Sequence, residues 1–170
     1  MTTYTSNSAH YKEVLERIKT VKHTLWIGTA DIKDVYVDVD GEVKPLLGLI
    51  AQLICRGVEV RLIHAKEPGQ NFREDFDKYP VLFDRLERAL CPRVHFKMFV
   101  FDCKEVYIGS ANLTGAGIGM KAETTRNFEA GILTDETEIV EQAMNQFDEI
   151  WMGKHCKLCK RRDYCSDPIA

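Results

Sequence analysis

The sequence predicts an α/β domain, a mixed β-sheet with helices on both faces, carrying a short cysteine-rich basic tail. Two observations point to the sheet and its helices. Apolar runs rich in β-branched and aromatic residues (TLWIG, VEVRLIHA, FKMFVF) recur along the chain, and stretches of helical periodicity lie between them. At 170 residues and 45% hydrophobic, the chain has apolar material for one core of ordinary size. A third observation sets off the tail: Cys156, Cys159 and Cys165 crowd together near the end, among lysines and arginines. The expected division is a body over residues 1–153 and a tail over residues 154–170.

The elements follow in order. Tyr11, Val14, Leu15, Ile18 and Val21 fall on one face of a helix, and a short strand follows at residues 24–28. Residues 31–45 (DIKDVYVDVDGEVKP) read as irregular with a turn at Asp40-Gly41. Asp38, Asp40 and Glu42 lack the further ligands of a calcium loop and read as a solvated turn. PLLGLIAQLIC, residues 45–55, reads as a helix ended by Arg56-Gly57, and residues 58–65 as a buried strand. A polar segment (KEPGQNFRED) leads into a helical stretch ending near Leu90, and Pro92 restarts the chain. Residues 94–112 (VHFKMFVFDCKEVYIGSAN) form a hairpin about an Asp-Cys-Lys-Glu turn. A glycine-rich loop (LTGAGIGMKAETTR) and a strand (NFEAGIL) follow. The last helix is expected to be capped by Asp135, with Ile139, Val140, Ala143, Met144, Phe147, Ile150 and Trp151 along one side. No run approaches the ~18 apolar residues that span a membrane, and MTTYTSNSAHYKEVLERI holds no stretch suited to a signal peptide. A cytoplasmic location is expected.

The hairpin contains an oddity. His95 and Lys97 stand two apart in a strand and so share a face, and the partner strand runs out in Gly109-Ser110-x-Asn112. Singly, each has a bland explanation: a satisfied core histidine, a snorkelling lysine, two turn formers. Jointly, the spacing His95-x-Lys97-x4-Asp102-x6-Gly109-Ser110-x-Asn112 resembles the signature of the phospholipase D superfamily, whose members cleave or exchange phosphodiesters. RNFEAGIL, residues 126–133, is similar to the family strand whose glutamate supports the histidine, here Glu129. LLGLIAQLICRGVEVRLIHA is similar to the helix–strand unit before the signature.

The resemblance implies a phospholipase D-like fold and a role for each residue. His95 is the nucleophile that forms a covalent phosphohistidine, which divides one difficult displacement into two. Glu129 orients and supports the imidazole. Lys97, Asn112 and Ser110 meet the phosphate oxygens with a fixed charge and hydrogen-bond donors. Asp102, at the strand end, is expected to organise the turn or pair with a cation. No metal is required for this chemistry. Many relatives carry two signatures per chain, whereas this sequence has one, as do the family's small nucleases, which build one active site from two identical chains. The resemblance therefore implies a homodimer with a shared site and a nucleic-acid substrate. Two alternatives remain open: a phosphodiesterase acting on lipid headgroups or small molecules, and a nucleic-acid-binding subunit active only beside a helicase or another partner.

The tail, WMGKHCKLCKRRDYCSDPIA, lies outside the family pattern. Cys156-x2-Cys159-x5-Cys165 has the close spacing of a metal knuckle, with His155, Asp163 or a distant cysteine as fourth ligand. Zinc is the expected structural metal and an iron–sulfur cluster the alternative. His155 directly precedes Cys156, and adjacent residues seldom both reach one tetrahedral ion. Cys55, Cys91 and Cys103 lie in apolar contexts and are expected to be buried small hydrophobes. The net charge of −3 leaves the tail cations, Lys157, Lys160, Arg161 and Arg162, as the local patch suited to a phosphate backbone.

Overall fold

Two strands, β2 (Thr24–Thr29) and β5 (Glu59–His64), run the same way side by side in the main sheet. The computed structural model describes residues 1–168. Before β2 come β1 (Thr2–Ser6) and a helical segment of one π-type turn (Tyr11–Leu15) continued by α1 (Glu16–Ile18). After β2 the chain forms β3 (Tyr36–Val39), β4 (Glu42–Pro45) and α2 (Leu46–Cys55), which returns it to β5. Then follow α3 (Gln70–Asp77), α4 (Val81–Arg85) and β6 (Glu87–Leu90). The hairpin is β7 (Lys97–Phe101) and β8 (Glu105–Gly109), and β9 (Ala130–Thr134) and α5 (Thr137–Trp151) close the body. The main sheet has seven strands in the order β1-β9-β8-β7-β2-β5-β6. β2, β5 and β6 are mutually parallel, and the other pairings are antiparallel.

Side-chain alternation distributes the central strands over two cores. Leu25 and Ile27 of β2 and Phe99 and Phe101 of β7 pack with Val14, Leu15 and Ile18 and with the apolar face of α2. Their neighbours Trp26, Met98 and Val100 point the other way, onto Val140, Ala143 and Phe147 of α5. Helices therefore cover both faces, as the sequence predicts.

Several expectations are corrected. β1 has no counterpart in the sequence reading; its residues are polar, and it is held by pairing with β9 at the sheet edge. The segment read as irregular contains the β3–β4 hairpin, a separate two-stranded sheet, although its turn falls where expected, at Asp40 (φ +56) and Gly41 (φ +83). The helix expected to end near Leu90 stops at Arg85, because residues 87–90 extend to pair with β5. Asp135 does not cap α5. Glu136 occupies the N-cap without a side-chain hydrogen bond, and the Asp135 carboxylate pairs with the terminal ammonium of Met1. Cys55 and Cys103 are exposed, at a helix end and in the hairpin turn, rather than buried.

Candidate active site

The parallel strands β2, β5 and β6 end at Thr29, His64 and Leu90, and antiparallel β7 starts at this same edge. Lys97 opens β7 opposite Gly109, the last residue of β8, and His95 lies just before the strand. The sheet thus delivers His95, Lys97, Ser110 and Asn112 to one edge, where open sheets of parallel strands characteristically bind ligands. The close approach of the strands here requires a small residue: a Cβ on Gly28, opposite Met98, would lie 2.2 Å from the Phe96 ring.

The imidazole of His95 is exposed, whereas Lys97 is 7% exposed. The Lys97 ammonium donates to the His95 carbonyl at 2.8 Å and stands 3.4 Å from its Nδ1. Burial pulls the ammonium below the usual lysine range, and the Glu129 carboxylate opposes that shift. An exposed imidazole and a buried ammonium therefore adjoin each other at this end of the sheet.

Asn112 is oriented from behind. Its Oδ1 accepts the Asp31 N–H at 3.1 Å, which directs the amide nitrogen toward other acceptors. Thr29 ties the same corner together: its hydroxyl donates to the Asp31 carbonyl at 2.7 Å and accepts from Leu113 N–H at 3.1 Å. Ser110 accepts the Ala130 N–H at 3.0 Å and donates to the Glu129 carboxylate. Glu129 also accepts from Asn127 Nδ2 at 2.9 Å, and its backbone is clamped to Asn7 by Glu129 N–H to Asn7 Oδ1 (3.1 Å) and Asn7 N–H to Glu129 O (2.9 Å). Its hydrogen bonds thus go to Ser110 and Asn127, and it reaches Lys97 through charge.

Asn7, Thr29, Asp31 and Asn127 escape the sequence reading. Each is a short polar residue outside any periodic pattern, and its role exists only once distant segments meet. Behind Asn7 stands His10, fully buried, its Nδ1 2.8 Å from the Asn7 carbonyl and its ring edge-on to Tyr107.

Asp102 belongs to the opposite end of β7. It adopts φ +52 in the turn and accepts the backbone N–H groups of Lys22 (3.1 Å), His23 (2.7 Å) and Thr24 (3.0 Å). Burial acts to raise its carboxyl, but the three N–H donors outweigh it and hold the group below the usual aspartate range.

The tail lies against the connection between β6 and β7. Cys165 Sγ stands 3.7 Å from the Leu90 carbonyl, and Asp167 accepts the Leu90 N–H at 3.2 Å. Lys157, Lys160, Arg161 and Arg162 are all exposed, so the tail carries its positive charge to solvent. Among the described residues, no three His, Cys, Asp or Glu side chains already converge on one ion.

The sequence matches the family model described as "Cardiolipin synthase, PLD-like domain" over residues 14–151. A search of curated proteins returned no match. Among solved structures, the fold is similar to NucT from Helicobacter pylori, with a TM-score of 0.65 and 17% identity over 89% of this chain and 96% of that one. It is similar also to the phospholipase D family member Nuc from Salmonella typhimurium, with a TM-score of 0.64 and 16% identity over 89% and 95%. Phosphatidylserine synthase from Haemophilus influenzae gives a TM-score of 0.62 at 14% identity, over 87% of this chain and 36% of the larger enzyme.

Proposed function

The chain belongs to the phospholipase D-like family, and we propose that it is a nuclease that cleaves nucleic-acid phosphodiesters through a phosphohistidine on His95. The observation that carries this reading is the pairing of an exposed imidazole with a buried lysine ammonium 3.4 Å away, at the same end of the sheet as the oriented amide of Asn112. A ring nitrogen of His95 attacks phosphorus and the bond to the leaving oxygen breaks. Lys97 and Asn112 hold the non-bridging oxygens as charge builds on them. Water then displaces the histidine, and the enzyme is restored. No step draws on a metal ion.

Two features favour nucleic acid over a lipid headgroup. The small proteins of similar fold, NucT and Nuc, are matched over nearly their whole length, whereas phosphatidylserine synthase is much larger. The tail carries four exposed cations, Lys157, Lys160, Arg161 and Arg162, a source of phosphate contacts in a chain of net charge −3. Among the described residues, no helix is long and apolar enough to cross a membrane.

The leaving oxygen needs a proton, and a second imidazole is the natural donor. In a two-fold dimer the partner's His95 supplies it, and the same ring then takes a proton from the attacking water. Phe128, 95% exposed next to Glu129, gives this edge an apolar side chain for such a contact.

The test is incubation of the purified protein with labelled DNA, labelled RNA, a simple phosphodiester and phospholipid vesicles, with and without chelator. Cleavage of nucleic acid that survives chelation and vanishes in His95→Ala is expected. Headgroup release without nucleic-acid cleavage, or gel shifts without cleavage until a helicase or other partner is added, would replace the reading with one of its rivals. The shared site is tested by refolding wild-type chains with His95→Ala chains. Activity then falls as the square of the wild-type fraction, whereas a linear fall means one complete site per chain.

A further inference from the structure

From residue 154 to residue 168 every side chain is exposed except three, Cys156, Cys159 and Cys165. A small apolar thiol turns inward readily by itself, but here three do so within ten residues of an otherwise solvent-facing, basic segment. The neighbouring Arg161, Arg162 and Tyr164 all point outward. The surface they turn toward contains a fourth thiol, that of Cys91, half-buried at the end of β6 and fixed by its N–H to the His64 carbonyl at 2.9 Å. Cys91, Cys156 and Cys159 line one cleft of about 250 Å³ between the tail and the last turns of α5. Cys165 stands over Leu90, the residue before Cys91, and the Cys91 thiol lies within electrostatic reach of both Cys156 and Cys165.

We infer that Cys91, Cys156, Cys159 and Cys165 together form a soft-metal centre, held by four thiolates, that fastens the tail to the segment leading into His95. The four thiols release their protons to solvent as the metal binds, and the surrounding cations offset the added negative charge. Arg93, beside Cys159, is one of them, and Lys157 and Lys160 are others. Among the described residues the thiols are not gathered on one point, so metal binding draws them together across the cleft. His155 lines the same cleft but is 55% exposed and 3.5 Å from the Glu149 carboxylate, and its bond to Cys156 leaves little freedom to share an ion. Cys91 therefore takes the fourth position. The same four thiolates suit a single zinc ion or an iron–sulfur cluster. This inference does not depend on the substrate.

The experiment is metal and sulfide analysis of anaerobically purified full-length protein, with its visible spectrum. Wild type should carry zinc and be colourless, or carry iron and sulfide and absorb in the visible. Either result supports the site and distinguishes its occupant. Cys91→Ser should lose the metal as completely as Cys156→Ser and Cys159→Ser, while His155→Ala and Cys103→Ser retain it. Far-UV circular dichroism checks that the Cys91 variant is folded. Stripping the metal from wild type should also expose the tail to trypsin at Lys157 and Lys160 while the body survives. Full metal content in Cys91→Ser, its loss in His155→Ala, or neither zinc nor iron in wild type would overturn the assignment.

Discussion

The two ends of strand β7 carry the two halves of one sequence signature and spend them differently. At its start, Lys97 is buried with its ammonium beside the exposed His95 ring, and its hydrogen bond satisfies only a local carbonyl. At its far end, Asp102 is saturated by three backbone N–H groups from residues 22–24, at the entry to β2. The first arrangement leaves the imidazole exposed beside a fixed cation. The second consumes its charge in tying the hairpin turn to the neighbouring strand. On the proposed function, the signature is part chemistry and part architecture, and the strand fixes the distance between them.

The largest effect expected from this division is on the catalytic end. Lys97→Ala or Asn112→Ala should slow turnover by roughly 10²-fold, the scale for losing one preorganised donor to a developing charge. Thermal unfolding of the Asn112 variant should change little. Equal losses of stability and rate would erase the distinction between the two ends.

A second expectation concerns pH. Because burial lowers the Lys97 ammonium, the proton leaves at a pH below the range of an ordinary lysine. Turnover should therefore fall on the alkaline side earlier than an exposed lysine would allow. Stability moves the other way in that window, since the unfolded chain then binds more protons than the folded one. Lys97→Arg, which keeps its charge, should remove the alkaline limb from the rate profile while retaining activity above that of Lys97→Ala. An unshifted limb would assign the titration to another group.

The smallest effect on rate is expected at the architectural end. Asp102→Ala should leave turnover within about twofold but lower stability by about 2 kcal/mol, the scale for hydrogen bonds to a charged group, or roughly 4–8 °C in melting temperature. The carboxylate contributes above the ordinary aspartate pKa, and its contribution disappears as pH falls through the lower folded value. A variant that melts normally yet fails to turn over would move Asp102 into the catalytic group.

By itself the sequence determined the α/β class, the strands β2, β5, β7 and β8, the helices α2 and α5, and the closeness of His95 to Lys97. These rest on local periodicity and on spacing along a hairpin, which survive in one dimension. Tertiary structure alone decided the rest. β1 and β6 lack the pattern of a buried strand and extend because β9 and β5 offer ladder partners. Asn7 and Asp31 become supports of Glu129 and Asn112 only when chain segments 122 and 81 residues away fold against them. Cys91 looks like an ordinary small core residue until β6 sets it beside the tail cysteines. Contacts between residues far apart in the chain leave no trace in local pattern, because what selects them is the shape of a surface that exists only after folding.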